Sequence, residues 1–168
     1  MNVIPTQSVM LRAASYWSGF LVSKGSEHMI MNLNSVASLR AEWDGAVRMR
    51  DRIRHLVVST FAFDTKKSPA FGDLLYNLPF LLAFGVLKEA LLQAREEGQF
   101  TSSRPQLGDL IDSAKNSLPW INWQCLREAV KRRNEVMHEG KLLGDVQCLQ
   151  DIADIEAQLV AWDIIAAA

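Results

Sequence analysis

Residues 36–57 read VASLRAEWDGAVRMRDRIRHLV, and the spacing of their apolar side chains points to the class of fold. Val36, Leu39, Trp43 and Ala46 follow one another at steps of three or four, and Ile53 and Val57 resume the rhythm. Such a stripe lines one face of a long amphipathic α-helix. Between Ala46 and Ile53 the position that should be apolar holds Arg50. Burying an unpaired guanidinium costs several kcal/mol, so either a carboxylate faces Arg50 or the stripe opens there onto a polar groove. The expectation is the groove, with Arg50 on its rim. Arg40, Arg48, Arg52 and Arg54 crowd the same helix against Glu42, Asp44 and Asp51, a pattern that usually marks a solvated face.

The helical period continues to the end of the chain. Ser68-Pro69 and Gly72-Asp73 mark a connection, after which residues 77–97 carry Leu81, Leu82, Phe84, Val86, Leu87, Leu91 and Leu92. Pro79 is placed in the first turn of that helix and Gly98 at its stop. Being apolar nearly all round at its start, it should lie centrally. Leu107, Leu110, Ile111 and Ala114 form a shorter helix ending near Leu118-Pro119, and another starts at Trp120 with Trp123, Leu126, Val130 and Met137 on one stripe. Gly140 and Gly144 break it, and Asp145 is a candidate cap for a last helix built on Leu149, Ile152, Ile155, Leu159 and Trp162. Strand alternation, internal repeats and Gly-rich phosphate loops are absent, which excludes kinase, P-loop and dinucleotide folds. The expectation is an all-α, antiparallel bundle of four to five helices over residues 31–168.

Residues 1–30 read as an N-terminal arm or helix, with Val9, Ala13, Trp17 and Phe20 on one stripe. The first 26 residues carry Arg12 and Lys24 but no acid, a faint transit-peptide composition without the apolar run and cleavage site of a secretory signal. A chain of 168 residues, 49% hydrophobic, buries a sizeable core without disulfides or metals. Its net charge of −1 lacks the overall basic field of a protein that coats nucleic acid, so any such contact must be a local patch. Cys125 and Cys148 form no CxxC pair and cluster with none of the three histidines, so no metal or cofactor is expected and a reducing cytoplasm fits. Leu74 to Leu87 is interrupted by Tyr76, Asn77 and Pro79 and reads as core rather than as a membrane span.

Chemistry concentrates in residues 131–143, KRRNEVMHEGKLL. With Val130 as centre and about 100° per residue, Trp123, Leu126 and Met137 fall within about 40° of the stripe, as does Asn134. Arg133 lies about 60° to the other side and His138 at about 80°, so the polar residues flank a buried face. Imidazole is the natural proton relay near neutral pH for attack of a ribose 2′-OH on its phosphate, and a guanidinium offers permanent charge and a planar fork for the phosphate oxygens. Asn134, one turn from His138, is placed to orient it or to contact the RNA backbone. The ordinary structural reading is that His138 answers the negative end of its helix and that Arg133 pairs with Glu139 or a neighbouring acid. Spacing alone carries little weight: Arg50 and His55 also enclose four residues, but with Asp51 in place of the Asn and no glycine at a helix end.

Arg133, four intervening residues beginning with Asn134, and then His138 ahead of Gly140 resemble the signature of the HEPN superfamily. The resemblance extends from roughly Val36 to the C-terminus through the Leu118-Pro119-Trp120 turn and a final helix bearing Glu156, Leu159 and Trp162. It implies a helical bundle that homodimerises with the motif helices at the interface. It also implies metal-independent endoribonuclease activity leaving 2′,3′-cyclic phosphate and 5′-OH ends, in a toxin or defence component that an antitoxin could restrain. Arg133, Asn134 and His138 are then the catalytic residues, with Arg50, Arg132 and Lys141 contacting RNA. The alternative within the family is a non-catalytic module that binds RNA, nucleotides or protein. Relatives paired with a nucleotidyltransferase carry a Tyr two residues after the His, where this chain has Gly140, which puts that mode of neutralisation in doubt.

Overall fold

The computed structural model describes residues 29–61 and 69–167, and within them every regular element is helical: α1 (Leu33–Phe61), α2 (Pro69–Glu96), α3 (Leu107–Ala114), α4 (Trp123–Asn134), a π-helical turn (Glu135–Glu139) and α5 (Asp145–Ala161). This is the all-α bundle expected. The stripe of the expected arm, Val9 to Phe20, lies outside the described residues. The arm's last two residues, Met29 and Ile30, are buried in the core, so the packed domain begins slightly earlier than residue 31.

Helix α1 starts where Asn32 caps it, the side-chain oxygen accepting from the amides of Asn34 and Ser35 at 3.0 and 3.3 Å. Glu97 accepts from the amides of Met31 at 2.6 Å and Asn32 at 3.1 Å, tying this start to the end of α2. Val36, Leu39, Trp43 and Ala46 are buried, and Ile53 and Val57 pack against the core, as their spacing predicts.

Helix α2 is longer than its sequence implies. It begins at Pro69, where a missing N–H is harmless, runs through Gly72-Asp73, and places Pro79 in its interior rather than in its first turn. An interior proline removes a helical hydrogen bond at a cost of about 3 kcal/mol. Burial of Tyr76, Phe80, Phe84, Leu87 and Leu91 offsets it, since each buried large side chain contributes about 1.5–3 kcal/mol. Gly98, at φ 79°, ends the helix in the left-handed conformation. The segment Leu74–Glu96 is long and apolar enough to cross a bilayer by length and composition, and 56% of its most apolar window is buried inside the domain.

The contacts fix the directions of the helices. Arg40 donates from Nε to the Ile164 carbonyl at 2.6 Å, while Arg50 lies beside Glu156 one helical stretch earlier in α5, so α1 and α5 run antiparallel. Gln158 accepts from the Ile121 amide and Arg132 reaches Asp151, so α4 and α5 are antiparallel as well. Helix α2 is central, packing on every other α-helix or its immediate neighbour through fully buried Phe80, Phe84, Leu87 and Leu91. The tryptophans serve packing: Trp120, Trp123 and Trp162 donate to the carbonyls of Ala114, Ile111 and Pro119, and Trp120 meets Trp162 edge-on at 5.0 Å.

Candidate functional site

Helix α4 begins at Trp123 rather than Trp120, capped by Asn122, which accepts from the Cys125 amide at 3.1 Å. Leu126, Ala129 and Val130 are buried, which anchors the face from which the motif departs. The adjacent arginines then part company. Arg132 donates from Nε and Nη2 to the two carboxylate oxygens of Asp151 at 2.9 and 2.7 Å, and Gln147 donates to the same carboxylate at 2.9 Å. Asp151 is 0% exposed. That hydrogen bonding, against the opposing effect of burial, holds the Arg132 pKa above its ordinary value. Arg132 is therefore a structural cation joining α4 to α5, not the open phosphate contact expected. Asp151 lies on α5 between Cys148 and Ile155, next to Ile152 of the apolar stripe, and no break in that stripe marks it in the sequence.

Arg133 has no acidic partner among the described residues. Its Nη1 donates to Asn134 Oδ1 at 3.0 Å, and its Nε is buried without a hydrogen-bond partner. Asn134 thus steadies the guanidinium rather than orienting His138, and the expected alternative pairing of Arg133 with Glu139 is not formed.

Beyond Asn134 the chain tightens into the π-turn. Gly140, at φ 65°, closes it by donating to the Glu135 carbonyl, and the Lys141 amide donates to the same oxygen at 3.3 Å. A π-helix bonds i to i+5, about 4.4 residues per turn, so side chains advance by about 80° per residue instead of 100°. Met137, expected near the stripe centre, is swung to about 70° from Val130 and is 50% exposed. The same change leaves Arg133 and His138 about 70° apart around the axis, where a continuous α-helix would separate them by about 140°. His138 is exposed and has no hydrogen-bond partner among the described residues.

The connection to α5 is pinned. Asn77 donates from Nδ2 to the Leu143 carbonyl at 2.9 Å and accepts from the Leu143 amide at 3.2 Å. Lys141 Nζ meets Glu135 Oε2 at 2.5 Å, and that hydrogen bond raises the ammonium pKa. The pair is exposed, a kind that is worth little and exchanges readily for another anion. Asp145 is the first residue of α5, after Gly144 at the cap position, and its side chain accepts from the Val146 amide at 2.7 Å. Around the motif Met137, Leu142 and Val146 present apolar surface to solvent.

Arg50 resolves differently from the groove expected. Its Nε donates to Asp51 at 3.0 Å and its Nη1 lies 3.8 Å from Glu156 on α5, with one quarter of the side chain exposed. A carboxylate faces it, so Arg50 links α1 to α5 and does not join the motif. Among the described residues no three His, Cys, Asp or Glu side chains converge as metal ligands. No family model, curated protein or solved structure matches the chain.

Proposed function

We propose that the protein is a metal-independent endoribonuclease of HEPN type, with Arg133 and His138 as its catalytic pair. The observation that carries the reading is the contrast between two neighbours: Arg132 is saturated by a buried carboxylate, whereas Arg133 has no acidic partner among the described residues and keeps a buried Nε without a hydrogen-bond partner just ahead of the π-turn that carries His138. A guanidinium without a protein anion is free to take a phosphate, and an exposed imidazole is free to take the 2′-OH proton. Attack of that oxygen on phosphorus expels the 5′ oxygen and leaves a 2′,3′-cyclic phosphate and a 5′-OH.

Among the described residues His138 has no orienting group, and Met137, Leu142 and Val146 around the motif are exposed. A symmetric homodimer covering those side chains would supply both a dry wall and a second motif. The same lack of an orienting group favours the second reading, an RNA-binding module without cleavage. Incubation with single-stranded RNA in chelator separates them: cleavage that persists there, leaves cyclic-phosphate ends and falls by about 10²–10⁴ in His138→Ala supports the nuclease. Retention of intact RNA selects the binding module, and strict magnesium dependence or 5′-phosphate ends refute the mechanism. A monomeric mass in light scattering at micromolar concentration refutes the dimer.

A further inference from the structure

Helix α1 has two arginine-bearing sides that differ in what holds them. On the side toward α5, Arg40 is held by the carbonyls of Ile164 and Asp163, and Arg50 by Asp51 and Glu156. On the opposite side Arg48, Arg52, His55 and Ser59 recur at steps of four, three and four, forming one exposed stripe pointing away from the core. Neither Arg48 nor Arg52 has a carboxylate partner among the described residues. Asp51, the acid bordering the stripe, is already engaged by Arg50, while Asp44 stands one turn earlier without pairing to Arg48. These side chains border an open basin of about 690 Å³ whose described walls all come from α1.

We propose that this stripe is a docking track for the phosphate backbone of single-stranded RNA, distinct from the Arg133/His138 site and resting on the reading that RNA is the substrate. Arg48 and Arg52 stand about 6 Å apart along the axis and His55 about 4.5 Å further, a row that follows one strand rather than a single ion. Two unpaired guanidinium forks suit successive phosphates, and exposed Leu56 beside them offers an apolar surface to an unstacked base.

The test uses the full chain, a fluorescein-labelled single-stranded RNA of about 20 nucleotides, and anisotropy titrations across a range of salt. Arg48→Gln/Arg52→Gln should weaken binding roughly tenfold at low salt and make the log–log salt slope shallower by about 1.4, the release expected for two lost contacts at about 0.7 each. Arg48→Lys/Arg52→Lys should keep most of the affinity, and His138→Ala should keep both affinity and slope. Unchanged affinity and slope in the glutamine variant overturn the track even if cleavage is present. A lysine variant as weak as the glutamine one overturns it too, as does wild-type protein that ignores RNA but binds vesicles rich in anionic lipid. Binding that responds as expected without any cleavage leaves the track standing and removes the nuclease reading alone.

Discussion

Arg50 and His55 stand five positions apart in α1, as Arg133 and His138 do across the end of α4, and the backbone between each pair governs what the pair can do. In α1 the helix is regular, so five steps of about 100° send Arg50 toward α5 and His55 to the far side. Arg50 ends against Glu156 while His55 is exposed. At the end of α4 the π-turn slows the rotation, and the two side chains emerge about 70° apart. Identical intervals in sequence therefore yield one pair divided between opposite sides of a regular helix and one whose separation is narrowed by a π-turn. A residue count becomes a distance only through the helix type that carries it.

The largest effect that could break this comparison is catalytic. Arg133→Lys keeps the charge but loses the fork, so cleavage should fall by about 10²-fold while RNA affinity stays within a few-fold. Arg50→Met, its counterpart, should leave cleavage unchanged in the same gel assay. Equal losses in the two variants would mean that the pairs are not functionally distinct.

Next in size is the pairing that sets Arg132 apart from Arg133. Asp151→Ala strands a partly buried guanidinium, and because Arg132 keeps some solvent contact the loss is put at about 2 kcal/mol, below the 3–5 kcal/mol of a fully buried pair. A lowered urea midpoint with unchanged slope would register it. Arg50→Met should cost less, about 0.5–1 kcal/mol, or a few degrees in Tm, because its pairs are half open to water.

The smallest effect is a pH dependence. Burial raises the Tyr76 pKa, Asp145 raises it further and Arg54 opposes them. The folded state therefore holds the phenolic proton more tightly than the unfolded chain. The resulting stability is fully present below the unfolded value of about 10 and is lost as pH rises through the higher folded value. Urea midpoints measured upward from pH 9 should decline in wild type and less so in Tyr76→Phe; parallel declines would exclude Tyr76 as the cause.

The sequence displays the α1 stripe plainly because one regular helix carries it for its whole length. It misleads at Gly72 and Pro79, where local breakers are outweighed by the burial of Tyr76, Phe80 and Phe84, a tertiary effect invisible in a window of neighbours. Met137 leaves the stripe for another reason: its π-turn breaks the constant angle per residue that a regular helix keeps. Arg50 is visible in the sequence as an interruption of the α1 stripe while Asp151 is not, and the partner of each lies on another helix. Arg133 and His138 were legible as a spacing, while the freedom of Arg133 from acids depended on where every carboxylate of the bundle went.

The Asn77 clamp on Leu143 also affects how the molecule breathes. Because the side chain of Asn77 holds both the N–H and the C=O of one loop residue, the Leu143 amide cannot reach solvent by fraying of the loop alone. Its deuterium uptake should follow the opening of the α2–α5 contact and resemble that of a helical amide, while the neighbouring Leu142 amide exchanges at loop rates. A protected residue between rapidly exchanging neighbours would then report, in a single mass-spectrometric or NMR time course, whether the segment leaving the motif moves with the bundle or independently of it.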